Sequence, residues 1–254
     1  MLIKMNIIYA KDYSDMSRKA ANIIAAQVVL KPDCLLGLAT GGTPVGTYEE
    51  LIARCKEGSV DFKSCKTVNL DEYVGIDPDA PQSYACFMKD KLFSHINIDP
   101  ANTHLPDGKN LDGTGACAQY DSLLRRLGKI DLQLLGIGHN GHIAFNEPDK
   151  CFYGGTHMVA LSQSTIEANK RFFEKEEDVP RHAYSMGIRD ILNAKRILLI
   201  VSGAEKADIL CRSLTGSIDP FVPASILQLH RNLTVVADAP ALSKLLETAP
   251  ELIG

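Results

Sequence analysis

No apolar run in this 254-residue chain approaches the roughly 20 residues that cross a bilayer as a helix, so a soluble protein is expected. The seven cysteines, Cys34, Cys55, Cys65, Cys86, Cys117, Cys151 and Cys211, contain no C-x-x-C pair. An odd, scattered set suits reduced thiols packed as small hydrophobes, and points to the cytoplasm. Lys and Arg form no cluster, and a net charge of −4 with a pI near 6.0 argues against a nucleic-acid surface. An anionic small molecule must then be held by a local site. The opening MLIKMNIIYA has no long apolar region followed by a small-residue cleavage site, and is read as a first strand, not a signal peptide. Repeats, linkers and low-complexity segments are missing too, so no second domain is required.

What the chain does have is average globular composition, 45% hydrophobic and 23% charged, and a regular alternation of strand and helix patterns. The stretch from Ile130 to Pro148, IDLQLLGIGHNGHIAFNEP, organises the rest. Its first half is a buried strand by pattern. Gly136, Gly138 and Gly141 then turn the backbone and deliver His139, Asn140, His142, Asn146 and Glu147 within a few residues. Three readings compete. GIGHNG matches the dinucleotide fingerprint G-x-G-x-x-G, but Pro148 leaves almost no room for the helix that motif needs. His139 and His142 could start a metal site, but no third ligand follows at metal spacing. A plain turn with a solvated histidine is the bland reading. Against it, Asn140 and Glu147 are suited to orient His142 as a general acid/base.

Along the chain, Ser14 or Asp15 is expected to cap a helix with Met16, Ala20, Ile23, Ile24 and Val28 on its apolar stripe. The strand Cys34 to Ala39 runs into Thr40, Gly41, Gly42, Thr43 and Pro44. Thr as N-cap with Pro at the first helical position makes an anion cradle of amides, helix dipole and hydroxyls; a tight turn needing glycine for geometry alone is the equal alternative. No Walker lysine is present. The strand Lys66 to Leu70 leads into Asp71 and Glu72, which alternation sends to opposite faces, one toward a cleft and one toward solvent or a structural partner.

Helices follow at about Ser83 to His95, with Tyr84 in its stripe, and at about Asp112 to Leu127. A helical segment near Thr165 to Phe173 carries Arg171. Tyr184 to Gly187 reads as a short strand and Arg196 to Val201 as a strong one, followed by a glycine turn with Glu205 and Lys206. Pro223 to His230 is a short helix, Leu233 to Val236 the last strand, and Pro240 to Leu246 a closing helix. The expected fold is a single-domain α/β Rossmann-like three-layer sandwich around a mostly parallel sheet of about seven strands.

In such a sheet, ligands sit at the carboxyl ends of the strands. Four of those ends gather the Thr40 to Thr43 cradle, the Asp71 carboxylate, His142 with Asn140 and Glu147, and the Lys206 cation. That set fits a sugar phosphate, with a carboxylate moving a proton between adjacent carbons and a histidine opening the ring.

ATGGTP at 39 to 44, NLDEYVG at 69 to 75, PQSY at 81 to 84, GIGHNGHIAFNEP at 136 to 148, NKRFF at 169 to 173, SGAEKA at 202 to 207 and PASILQLH at 223 to 230 resemble, in order, the motifs of the glucosamine-6-phosphate deaminase family. The resemblance implies conversion of glucosamine 6-phosphate and water to fructose 6-phosphate and ammonia, with no metal or organic cofactor. It makes Asp71 the C2/C1 proton acceptor and His142 the ring-opening acid/base supported by Asn140 and Glu147. Thr40, Gly41, Gly42, Thr43, Arg171 and Lys206 would hold the 6-phosphate. Asn140 stands where many relatives have Asp, and is expected to accept the imidazole N–H without adding charge, leaving His142 less basic. Galactosamine 6-phosphate as substrate, 6-phosphogluconolactone hydrolysis and a non-catalytic sugar-phosphate sensor are the alternatives. Allosteric members of the family use serines, an arginine and a lysine just after F-N-E-P. Here Lys150, Cys151, His157 and Val159 stand there instead, so an unregulated and monomeric protein is expected.

Overall fold

Short apolar runs become the central strands, and amphipathic stretches between them become helices. The computed structural model describes residues 5–163, 166–167, 173, 175 and 179–253. In chain order the elements are β1 (Asn6–Ala10), α1 (Tyr13–Leu30), β2 (Leu35–Leu38), α2 (Val45–Lys56), β3 (Lys66–Asn69), β4 (Asp71–Tyr73) and α3 (Tyr84–Lys91). Then come β5 (Thr103–His104), α4 (Gly113–Leu127), β6 (Leu132–Leu135), β7 (His157–Ala160), β8 (His182–Ser185) and α5 (Ile188–Leu192). The chain closes with β9 (Ile197–Val201), α6 (Ala207–Thr215), a 3₁₀ segment at Pro223–Leu229, β10 (Leu233–Asp238) and α7 (Ala239–Thr248).

Seven strands form one sheet in the order β1-β10-β9-β6-β2-β3-β5, each neighbouring pair parallel. Helices α1 and α7 both pack on β1 and β10, and α1 also packs on α2. The middle strands β2, β6 and β9 are buried along their whole length, as a parallel sheet covered on both faces requires. The chain builds outward from β2 to β3 and β5, then returns to β6 on the other side of β2. The β2/β6 junction is therefore the topological switch point, where a crevice opens at the carboxyl ends.

A second sheet, antiparallel β4-β8-β7, was not anticipated from sequence. The expected strand from Lys66 continues only to Asn69; after Leu70 the chain leaves the main sheet and Asp71–Tyr73 pairs with β8. Tyr73, Ile76, Phe145, Leu161, Ile166, Val179 and Ala183 form a small separate core for it. Strand β7 escaped notice because its burial is only partial and Met158 faces solvent, so no apolar run marks it.

Two caps differ from expectation. Asp12, not Ser14 or Asp15, caps α1, since its backbone is extended and its carboxylate accepts from the Asp15 amide at 2.8 Å. Asp15 sits inside the first turn, where it accepts from the Lys11 amide at 3.1 Å and pairs with Lys19 at 3.0 Å. Pro44 occupies the N-cap of α2 in place of the first helical position, because the Gly41 turn brings the Gly42 carbonyl under the Val45 amide.

Candidate active site

Loops leaving β2, β3, β6 and β9, four adjacent strands, enclose a cavity of about 510 Å³ at the switch point. Thr40, Gly41, Gly42, Thr43, Asp71, Asn140, His142 and Lys206 all line it. Arg171 lies outside the described residues. Glu147 stands just behind the wall, in contact with two of the lining residues.

The β2 loop supplies donors. Gly41 has φ +94°, a left-handed turn that only glycine adopts without strain. Tyr13 holds the loop from below: its hydroxyl donates to the Gly42 carbonyl at 3.2 Å and accepts from the Gly46 amide at 2.8 Å. Among the described residues the amides of Gly41, Gly42 and Thr43 donate to no other group, which leaves them for an anion at the start of α2.

Asp71 and Glu72 diverge as strand alternation requires. Asp71 faces the cavity from a buried wall, and desolvation first, with the neighbouring Glu72 charge second, pushes its carboxyl up to about 8. Glu72 turns inward and accepts from the amides of Tyr73, Tyr84 and Ala85.

In the β6 loop no helix starts at Gly141, so the dinucleotide reading fails. The loop closes on itself instead, with the Gly138 amide donating to the His142 carbonyl at 2.9 Å and the Gly141 amide to the Gly138 carbonyl at 3.1 Å. The His142 ring packs flat over Gly138, where a Cβ would come within 2.2 Å of it. Glycine there is a condition for the ring's position. Ala144, with φ 53°, is the one non-glycine residue in the left-handed region among the described residues. Three or more His, Cys, Asp or Glu side chains converge at no metal-binding geometry among the described residues.

The expected role of Asn140 needs correction. Its Oδ1 accepts from the backbone amide of His142 at 3.2 Å, and its Nδ2 donates to Oε2 of Glu147 at 2.6 Å. The imidazole faces Glu147 instead, Nδ1 to Oε1 at 3.6 Å. A carboxylate therefore does stand beside His142, brought by the chain reversal between Ile143 and Asn146. Asn146 itself is structural: buried, it donates to the carbonyls of Ile143 and Met186 and ties the loop to the second sheet.

Lys206 ends a single 3₁₀ turn before α6 and donates to the Ile137 carbonyl at 2.9 Å, which aims it at the cavity. Burial pulls its ammonium below the ordinary lysine value. Sequence reasoning did not assign Tyr84, Ser202, Glu205 and His139 to the lining, although all four sit inside quoted motifs.

Residues 11–236 match the family model for glucosamine-6-phosphate isomerases/6-phosphogluconolactonase. The chain is 57% identical over 232 residues to the glucosamine-6-phosphate deaminase of Lachnoclostridium phytofermentans, covering 91% of this chain and 98% of that one. It is 50% identical over 241 residues to the deaminase of Halothermothrix orenii, covering 95% and 100%. The solved structure of a monomeric glucosamine-6-phosphate deaminase matches with a TM-score of 0.92 at 44% identity, over 94% of this chain and 100% of that one. A 6-phosphogluconolactonase from Thermotoga maritima has a TM-score of 0.75 at 21% identity, covers 92% and 100%, and shares the fold.

Proposed function

The chain belongs to the glucosamine-6-phosphate isomerase/6-phosphogluconolactonase family, and from that premise we infer its activity: glucosamine 6-phosphate and water become fructose 6-phosphate and ammonia. The observation that carries the chemistry is the buried Asp71 at the cavity wall, its carboxyl raised to about 8. A carboxylate that gives up its proton only near neutral pH is a stronger base than an exposed one, as removal of a C2 proton demands.

Each step then follows from a neighbouring group. The Thr40 to Thr43 amides and Lys206 bind the 6-phosphate, joined by Arg171. His142, backed by Glu147, carries a proton between the ring oxygen and O1, which opens the ring. Asp71 takes the C2 proton and returns it to C1 while a proton of the amine passes to O1, so C1 becomes a hydroxyl-bearing carbon and C2 an imine. Water adds to the imine, and ammonia leaves from the resulting carbinolamine. Only protons and water move, so the reading calls on no metal or organic cofactor.

The protein works as a cytoplasmic monomer in this reading. Support comes from the cysteines, all seven of them free, and from the likeness to a deaminase described as monomeric. Among the described residues no helix is long and apolar enough to cross a membrane. The test is incubation with glucosamine 6-phosphate, galactosamine 6-phosphate and 6-phosphogluconolactone in parallel, with ammonia, the ketose phosphate and acid release measured. Release of ammonia and fructose 6-phosphate from the first alone is expected; acid release from the lactone alone would overturn the reading. Sedimentation velocity reads the mass.

A further inference from the structure

A fully buried glutamate beside Asp71 needs partners of its own, and Glu72 has three. Oε1 accepts from the amides of Tyr73 at 2.9 Å and Tyr84 at 3.0 Å, and Oε2 from the amide of Ala85 at 2.9 Å. Tyr84 and Ala85 open α3 behind the Ser83 cap, where unsatisfied amides and the helix dipole both favour an anion. One carboxylate thus clamps β4 to α3. Two cavity-lining residues hang on that clamp, Asp71 on the strand and Tyr84 on the helix.

The far side is closed as well. Gly108 packs so tightly that a Cβ there would fall 3.0 Å from Cγ of Glu72 and 2.5 Å from the Tyr73 carbonyl oxygen. Around Asp71 the titratable neighbours are Glu72 and the phenols of Tyr73, Tyr84 and Tyr120, with His142 and Lys206 across the cavity. The Tyr120 hydroxyl is committed to the Asn69 carbonyl at 2.5 Å, and the Tyr84 hydroxyl donates to that of Tyr73 at 3.4 Å. No ion pair reaches Asp71 among the described residues. The charge that acts on it from this wall is that of Glu72.

We propose that Glu72 is a positioning residue for the proton transfer: it locks β4 to α3 so that Asp71 meets the substrate from a dry wall, and keeps a like charge behind that base. The proposal rests on the deaminase reading. Neither half of the role touches substrate, so binding should survive what catalysis does not.

Wild type, Glu72→Gln and Glu72→Asp are compared with glucosamine 6-phosphate, reading kcat, KM, the pH profile of kcat/KM and the melting temperature. Glu72→Gln should lose at least about tenfold in kcat while KM holds within about twofold. Its rise of kcat/KM with pH should move to lower pH, because the like charge is gone. Glu72→Asp keeps the charge on a shorter stem, so its rise stays at the wild-type pH while kcat falls. If Glu72→Gln does not accumulate as folded protein, the aspartate variant decides alone, and wild-type kcat in it overturns the proposal. Wild-type kcat with an unmoved profile in folded Glu72→Gln overturns it too, as does a lowered melting temperature with unmoved profiles in both variants. Wild type that releases no ammonia would instead overturn the deaminase reading itself.

Discussion

Nδ1 of His142 lies 3.6 Å from Oε1 of Glu147, whose other oxygen accepts from the Asn140 amide at 2.6 Å. The 3.6 Å contact is longer than a hydrogen bond, so the ring is placed by its packing over Gly138, with the carboxylate beside its buried Nδ1. Asn140 steadies both partners, since its Oδ1 also holds the His142 backbone amide at 3.2 Å.

A histidine so placed can exchange a proton with a ring oxygen, as ring opening needs. His142→Gln should slow the ring-closed substrate strongly and an open-chain analogue only slightly. Steady-state rates with both substrates check this, and equal losses would remove His142 from the ring-opening role.

Asp71→Asn should lower kcat at least about a hundredfold and abolish solvent-proton exchange at C2, leaving phosphate binding intact. With the wild-type carboxyl at about 8, kcat/KM should rise with pH through that value and be lost below it. The same group shapes stability with the opposite sign. Its folded value lies above the ordinary 3.8, so the native chain binds this proton more tightly than the unfolded one does. Stability that is present at pH below 3.8 is lost as the pH rises toward about 8. Melting temperatures of wild type and Asp71→Asn across that window should diverge, the variant gaining on wild type toward high pH; parallel curves would mean Asp71 is not desolvated.

Lys206→Ala should raise KM with a much smaller change in kcat, since its bond to phosphate exists in both ground and transition states. Inorganic phosphate should compete with substrate in wild type and weakly in the variant. Because burial lowers the lysine's proton affinity, phosphate affinity should weaken at high pH sooner than an exposed lysine would allow. Inhibition constants measured across pH check both points.

Regulation by N-acetylglucosamine 6-phosphate, the effector that the family resemblance implies for allosteric members, should be absent. Where allosteric relatives carry an arginine, His157 stacks on Tyr153 with ring centroids 4.6 Å apart, and burial pushes its imidazole below the ordinary value. That shift disfavours its charged form, and Val159 brings no charge, so Lys150 alone remains as a fixed cation on that run. An effector must bind one state better to shift an equilibrium. Hyperbolic rates with and without the effector are expected, and a sigmoidal curve that the effector straightens would sink this reading.

Short-range pattern made most of this legible. Apolar runs ending in glycine located β2, β6 and β9, and the turns after them carried Thr40 to Thr43, His142 and Lys206, because strand period and turn chemistry are local properties. Alternation alone predicted that Asp71 and Glu72 would part ways. The motif order from Ala39 to His230 carried the family.

Tertiary structure decided the rest, for reasons of long range. Leaving the main sheet after Leu70 depends on pairing with β8, more than a hundred residues away, which no local pattern encodes. The basicity of Asp71 comes from burial and the carboxylate clamped behind it, and burial is a property of the packed chain. Asn140 was expected to face the imidazole and instead braces Glu147, because the reversal at Ile143 to Asn146 brings that carboxylate back over the ring. Residue types and spacing thus set which groups could act; packing chose which atoms of those groups meet.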